Sequence, residues 1–350
     1  MICCLKSIFQ IEFRSPICRN INDVGYFWFD NSYSMILPFI IFIISLGVLI
    51  VAAKFFTEAA ERIGLSLKMS PFMVGVVIVA VGTSLPELIS GIIATATGHS
   101  EIVIGNVLGA NISNIFLILG MATIVSRRSI KLGKEYIFID LHFMLGSAIF
   151  LILFLLDGEI SRIEGACLVI GFIVYQIYLM KSDKPDEMPT LNDPETVKKM
   201  TSVRLIDGLI LLVSAVGIYV GAKYVVQSIQ DIATALDVDK TLISLTVLSF
   251  GTTLPELAVT ISAARRGQPE IALGNILGSC IFNSFMVTGV ASLIRPIAMP
   301  FELAKTSVVF LIVAAAFFYL LSQDKKVSKW EGMLFLLFYV VFILKITGVA

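Results

Sequence analysis

Glu87 and Glu256 are the two residues from which a function can first be read, because each interrupts an apolar run of membrane-spanning length. They sit in near-identical stretches, Gly82-Thr83-Ser84-Leu85-Pro86-Glu87-Leu88 and Gly251-Thr252-Thr253-Leu254-Pro255-Glu256-Leu257. A second motif follows each at one spacing, Gly105-Asn106-Val107-Leu108-Gly109 and Gly274-Asn275-Ile276-Leu277-Gly278. Matched positions lie 169 residues apart throughout: 82 with 251, 105 with 274, 114 with 283. Between Gly82 and Asn114 roughly half of the positions recur identically in the second copy. A carboxylate in hydrocarbon costs several kcal/mol, so two at equivalent places in a repeat share a purpose, and cation binding is the one their charge suggests.

The neighbouring residues fit that purpose. Pro86 lacks an N–H, so the carbonyl of Gly82 loses its helical donor, and the ring strains the preceding turn, where a kink is expected; Pro255 does the same to Gly251. Freed carbonyls at membrane depth are tolerated only beside a cavity, water or an ion. Thr83 and Glu87 are four residues apart and share a helix face, as do Thr252 and Glu256. Carboxylate, hydroxyl and carbonyl together make an all-oxygen set, which hard cations of flexible coordination prefer, Ca²⁺ above all. Gly105-x-x-x-Gly109 and Gly274-x-x-x-Gly278 let helices approach closely and bring Asn114 and Asn283 toward the acids. Blander roles compete: a protonated Glu bonded to a neighbour, the hydroxyls of Thr83, Ser84, Thr252 and Thr253 bonded back to their own helices, and glycines that only pack. Duplication of the acids, each beside a proline, weighs against the first.

The elements that carry these residues follow from composition. Hydrophobic residues make up 57% of the 350-residue chain and charged residues 15%, with mean hydropathy +0.93, which marks an integral membrane protein. Net charge is zero, and nothing points to nucleic acid. Five cysteines (Cys3, Cys4, Cys18, Cys167, Cys280) show neither zinc spacing nor a disulfide framework. Apolar runs near 36–57, 70–97, 101–125, 136–156, 162–180, 205–229, 239–264, 269–294, 303–322 and 330–348 predict ten transmembrane helices in an all-α fold. Residues 1–34 form an N-terminal extension that reads as neither signal peptide nor span, and Met35 is expected to open the folded part, if not the chain itself. A polar linker, 181–204, separates a first five-helix repeat (35–180) from a second (205–350). Five spans per half reverse the second half in the membrane, so the repeats are expected to be inverted. Basic residues gather in alternate loops, among them Arg62, Arg127, Arg128, Lys131, Lys181, Arg265, Arg266 and Lys326. That asymmetry puts the linker in the cytosol and both termini outside a plasma or inner membrane. Lys54 and Lys223 read as snorkelling, Asp140 and Asp207 as interfacial, and His99 and His142 lie outside the site.

At these motifs the chain resembles the calcium/cation antiporter superfamily, in particular sodium/calcium exchangers of prokaryotic type, over essentially all of 36–348. The resemblance implies that the acids of both repeats bind Ca²⁺ and Na⁺ in competition. By position, Glu87 and Glu256 match the central carboxylates, and Thr83 and Thr252 match hydroxyl or carbonyl ligands at the kinks. Ser84 and Thr253 match neighbouring sodium sites, Asn114 and Asn283 the mid-site polar pair, Ser279 a serine ligand, and Ala80 and Ser249 carbonyl donors. Ala110 stands where the family usually has Ser, and Cys280 where the first repeat has Asn111. Asn283, in place of the Asp of the potassium-dependent branch, argues against potassium cotransport.

The reading is a secondary antiporter exchanging Ca²⁺ for Na⁺ by alternating access, with no cofactor and no obligatory protein partner beyond the lipid bilayer. Cation/proton exchange through the same glutamates is the alternative. An intramembrane protease dyad would need aspartates and a Gly-x-Gly-Asp element, which the chain lacks. A channel would carry flux without a counter-ion.

Overall fold

The computed structural model describes residues 23–98, 100–126, 130–131, 135–182, 205–235, 251, 253–298, 301–322 and 326–347. Thr252, Ser249, His99, most of the 181–204 linker and the start of the N-terminal extension lie outside the described residues. The helices are α1 (Asp23–Ser66); α2 (Pro71–Ala96); α3 (Glu101–Ser113, continuing through Asn114–Leu119 and Gly120–Val125); α4 (Glu135–Phe154); and α5 (Arg162–Ser182). They continue as α6 (Leu205–Ala235); α7 (Leu254–Arg265); α8 (Pro269–Ile281, continuing through Phe282–Val287 and Thr288–Ile294); α9 (Phe301–Ser322); and α10 (Lys329–Ile346). Among the described residues six are long and apolar enough to cross a membrane: Ile36–Ser66, Pro71–Ala96, Ile102–Val125, Arg162–Lys181, Leu205–Ile232 and Pro269–Ile294. Asp140–Phe154 and Thr306–Leu321 are shorter apolar helices. The first helix departs from expectation: it begins at Asp23, ahead of Met35, and runs on to Ser66.

Local chemistry sets several boundaries. Ser70 caps α2, its Oγ accepting from Met73 N at 3.3 Å with Pro71 in the first turn, where a missing N–H costs nothing. Ser328 and Glu331 form a reciprocal capping box at the start of α10. The turns after α2 and α7 carry Gly98 at φ +91° and Gly267 at φ +76°, matched positions in the repeat, each in the left-handed conformation that favours glycine.

Packing interleaves the two halves. α1 and α6 lie side by side, with Gly221 against the Leu49 backbone and Gly217 against Ala52. A Cβ on Gly274 would lie 2.3 Å from the Phe72 carbonyl, and one on Gly278 2.7 Å from Ala80 Cβ, so the second GxxxG of the sequence seats α8 directly on the backbone of α2. α5 packs on the Thr288–Ile294 part of α8, with Gly165 against Gly289 and Ser292. In the same way α10 packs on the Gly120–Val125 part of α3, with Gly332 against Gly120 and Thr123. Two short antiparallel ladders join loops across the halves: β1 (Ile130–Lys131) pairs with β4 (Lys326–Val327), and β2 (Glu159–Ile160) with β3 (Ile297–Ala298). Ile36, Phe39, Ile43 and Ile50 of α1 and Leu209, Leu212, Val213 and Val216 of α6 face outward, as lipid-facing side chains do.

Candidate functional site

The centre of the bundle is polar. Thr83, Ser84, Glu87, Asn111, Asn114, Thr253, Glu256, Asn275, Ser279 and Asn283 are all buried, Glu87 and Glu256 to 3% and 2% exposure, so both acids face the interior of the protein and not the lipid side. They come from α2, α3, α8 and the start of α7.

The bonds at this centre run from one half to the other. Ser84 Oγ donates to Glu256 Oε1 at 2.9 Å and shares a second bond with Ser279 Oγ at 3.0 Å. Ser84 is therefore not turned back onto its own helix. Thr83 Oγ1 divides itself between the Ala80 carbonyl at 3.3 Å and Asn275 Oδ1 at 3.2 Å, so it both back-bonds and reaches across. Asn275 Nδ2 donates to Thr260 Oγ1 at 2.8 Å and to the Glu256 main-chain carbonyl at 3.4 Å. Asn111 Nδ2 donates to Ser284 Oγ at 2.7 Å and to the Cys280 carbonyl at 3.4 Å, and the Cys280 thiol faces the Asn111 carbonyl at 4.0 Å. Residues 111 and 280 are repeat equivalents, so this mutual contact lies where the two copies meet. Glu87 and Glu256 lie within electrostatic reach of each other.

A set of oxygens here has no donor. Glu87 Oε2, Glu256 Oε2, Asn111 Oδ1, Asn114 Oδ1 and Asn283 Oδ1 are buried and without a hydrogen-bond partner among the described residues, as is the one amide nitrogen among them, Asn114 Nδ2. Nearly all buried polar atoms in folded proteins are satisfied, so a concentration of orphaned acceptors demands a cause. Beside them, a crevice lined by Phe56, Gly82, Thr83, Pro86, Ala215, Ile218, Tyr219 and Pro255 runs between α1, α6 and the two proline motifs.

The backbone is distorted, though not where proline chemistry alone would put it. Pro86 lies within a continuous helical stretch, Val81–Ala96, while the preceding Val74–Ala80 is π-helical. Asn114 opens a second π-helical stretch, Asn114–Leu119, and Asn283 lies in a third, Phe282–Val287. Such wide turns gather at functional sites because they leave carbonyls without their usual partners. In the other half Pro255 sits in the first turn of α7, which Thr253 (φ −91°, ψ 0°) precedes, so there the helix starts at the motif.

Of the residues named from sequence, the structure gathers Thr83, Ser84, Glu256, Ser279 and Ala80 into one network bonded through Asn275, with Glu87 and Asn283 buried in α2 and α8, Thr253 at the start of α7 and Asn114 in α3. Ser249 and Thr252 lie outside the described residues. Sequence reasoning assigned no site role to Asn275, Asn111, Thr260 or Ser284. The signal was available for Asn275, which recurs as Asn106 inside the motif read only as packing. Asp140 lies near the start of α4, is 1% exposed and accepts from Tyr175 Oη at 2.7 Å, because α5 covers that part of the helix. Asp207 does sit at a helix end, paired with Arg62.

Comparison with known proteins agrees with this architecture. The family model described as sodium/calcium exchanger protein matches residues 37–181 and 207–348. The sodium/calcium exchanger MaX1 of Methanosarcina acetivorans is 32% identical over 341 residues, covering 87% of this chain and 97% of its own. The inner membrane protein YrbG of Escherichia coli is 30% identical over 267 residues, covering 75% of this chain and 81% of its own. The solved structure of the sodium-calcium exchanger NCX_Mj, soaked with 2.5 mM Na⁺ and 0.1 mM Ca²⁺, superposes with TM-score 0.74 at 31% identity, covering 88% of this chain and 98% of that one. The chain is a multi-pass membrane protein of the sodium/calcium exchanger family, a cation antiporter.

Proposed function

We propose that this antiporter exchanges Ca²⁺ for Na⁺, with Glu87 and Glu256 as shared ligands. One observation carries the reading: two buried carboxylates, each with a donorless oxygen, share a polar centre with the donorless amide oxygens of Asn114 and Asn283. Acceptors without donors suit a cation. Among the described residues there is no group of three or more His, Cys, Asp or Glu, so hydroxyl, amide and carbonyl oxygens must complete the shell, which favours a hard ion over a transition metal. Thr83, Ser84, Thr253 and Ser279 supply the hydroxyls, Ala80 a carbonyl, and Thr252 and Ser249 the positions matching Thr83 and Ala80. Ionised, the two acids supply −2, which one Ca²⁺ neutralises; Na⁺ is nearly the same size with half the charge. By family pattern three Na⁺ replace one Ca²⁺, which moves net charge and makes the cycle sensitive to membrane potential.

The same reading takes the ten helices as two inverted repeats, 35–180 and 205–350, crossing in alternation. Contacts between loops support it. Gly98 lies against the Arg295 guanidinium, Arg162 Nη2 donates to the Ile294 carbonyl at 3.1 Å, and β2 pairs with β3, grouping the α2–α3, α4–α5 and α8–α9 connections at one end. Arg266 joins Glu58 and Glu61, β1 pairs with β4, and β1 packs on α8, grouping the end of α1 with the α3–α4, α7–α8 and α9–α10 connections at the other. Equivalent turns at Gly98 and Gly267 thus fall in opposite groups. With single cysteines in a background lacking the native ones, an impermeant thiol reagent applied to intact cells is expected to label Ser100→Cys and spare Gln268→Cys. Equal labelling of both would mean parallel repeats and would end this account of the topology.

Alternating access then moves α1 and α6 together over the centre, opening the crevice at Thr83 to one side and afterwards to the other. Resealing over bare acids would bury two uncompensated charges, which hinders the crossing without an ion and prevents leak. Purified protein in proteoliposomes is expected to take up radiolabelled Ca²⁺ when loaded with Na⁺, and to stop when the Na⁺ gradient is removed. Uptake driven equally by a proton gradient in the absence of Na⁺ would replace Na⁺ with H⁺ as counter-ion. Uptake that needs no counter-ion gradient would overturn antiport itself.

A further inference from the structure

The two ends of the α1–α6 pair differ electrically. At one end Arg266, in the turn between α7 and α8, pairs with Glu58 and, at 3.2 Å, with Glu61, both on α1. Arg62, also on α1, donates from Nε to Asp207 Oδ1 on α6 at 2.7 Å. Advanced by the repeat offset, Glu58, Glu61 and Arg62 become Gln227, Gln230 and Asp231 on α6, and the place of Arg266 is taken by Thr97 in the turn after α2. Glutamine side chains and a threonine hydroxyl can form no ion pair. The repeats therefore keep the two glutamates and Asn114 and Asn283 in common at the centre and differ in charge where the helix pair meets these turns.

The two sets of pairs also have different duties. Arg62–Asp207 joins α1 to α6, which are already packed through Leu49, Ala52, Gly217 and Gly221, so it travels with the pair. Arg266 is continuous with α7 and α8, which carry Glu256, Ser279 and Asn283. Its bonds to Glu58 and Glu61 cross the surface along which the pair slides, and must break in each cycle. We propose that Arg266 with Glu58 and Glu61 is an ionic latch that holds the pair closed against the core at the Arg266 end and biases the exchanger toward opening at the Thr97 end. The bias comes from the charges of Arg266, Glu58 and Glu61, whose repeat equivalents Thr97, Gln227 and Gln230 carry none, so two halves built on one motif still give unequal access states. All three side chains are partly exposed, Arg266 to 27%, which makes the latch sensitive to salt.

This inference rests on the alternating-access reading, and its test is separable from it. Ala60 is buried on α1 between Glu58 and Arg62, and Ala60→Cys in a cysteine-free background reports whether that end has opened. Thiol labelling from the side of the α7–α8 turn is expected to accelerate about three- to tenfold in Arg266→Gln, the range that two partly exposed ion pairs can supply. High ionic strength is expected to accelerate the parent and leave Arg266→Gln unchanged. Arg62→Gln is expected to label as the parent does, and the charge swap Glu58→Arg, Glu61→Arg, Arg266→Glu to return the rate toward it, which also shows that the substituted protein folds. Parental labelling in Arg266→Gln overturns the latch, as does equal acceleration in Arg62→Gln or no recovery in the swap. Calcium uptake by the parent without any counter-ion gradient would overturn antiport instead, whatever the labelling shows.

Discussion

Calcium uptake is expected to fall at least ~100-fold in Glu87→Gln and equally in Glu256→Gln, since each removes one of two charges facing a divalent ion, a loss of about 3 kcal/mol or more at a protein-like dielectric. The amide keeps the shape of the carboxylate, so packing in α2 and α7 is preserved. A buried unpaired carboxylate is itself costly, and its neutral replacement is expected to leave the thermal midpoint in detergent unchanged or higher. Loss of transport with retained melting would thus separate ion binding from folding. Uptake near the parental rate in either variant would remove that glutamate from the ligand set.

Gly274→Ala is expected to be among the most damaging single methyl additions in the chain. Its Cβ would meet the Phe72 carbonyl at 2.3 Å and Gly75 Cα at 3.0 Å, both backbone atoms of a neighbouring helix that no rotamer change can move aside. Overpacking of ordinary side chains costs about 1–3 kcal/mol, and a clash with backbone belongs at or beyond the upper figure. Gly146→Ala provides the contrast, because nothing lies within 4 Å of its Cβ and alanine favours a helix over glycine. Melting in detergent is expected to drop sharply for the first and hold or rise for the second. Equal melting would mean that α8 does not approach α2 so closely.

Much of this molecule was legible in its sequence, for identifiable reasons. Apolar runs located most of the helices within a few residues, since backbone in hydrocarbon must be helical and its ends are marked by Ser70-Pro71, Gly98, Gly267 and Ser328. The start of α1 at Asp23 was not readable, because residues 23–34 mix polar and aromatic types without an apolar run. The duplicated motifs gave Ser84 and Glu256 as neighbours of the centre; that they bond to one another across the halves is a fact of tertiary packing that no spacing contains. Proline chemistry correctly marked a backbone distortion but misplaced it, because the π-helical turns at Val74–Ala80 and Asn114–Leu119 depend on how α2 and α3 are held by other helices. Asn275 was overlooked because its glycine neighbours explained the motif well enough without it. The Tyr175 bond to Asp140 was not readable either, because it depends on which helix lies beside α4.

The interleaved packing has a consequence for how the chain is made. Synthesis delivers α1 through α5 first, yet α1 lies on α6, the Val74–Ala80 turn of α2 on α8, the end of α3 on α10, and α5 on α8. A half-finished chain therefore enters the bilayer with its closest seams, Ala52, Gly75, Gly120 and Gly165, turned toward lipid or toward whatever shields them. These seams are small residues that gain little from lipid and much from a partner helix. The seams of the first half are thus completed only by the later helices, and α1 through α5 expressed alone are expected to be degraded unless the second half is supplied with them.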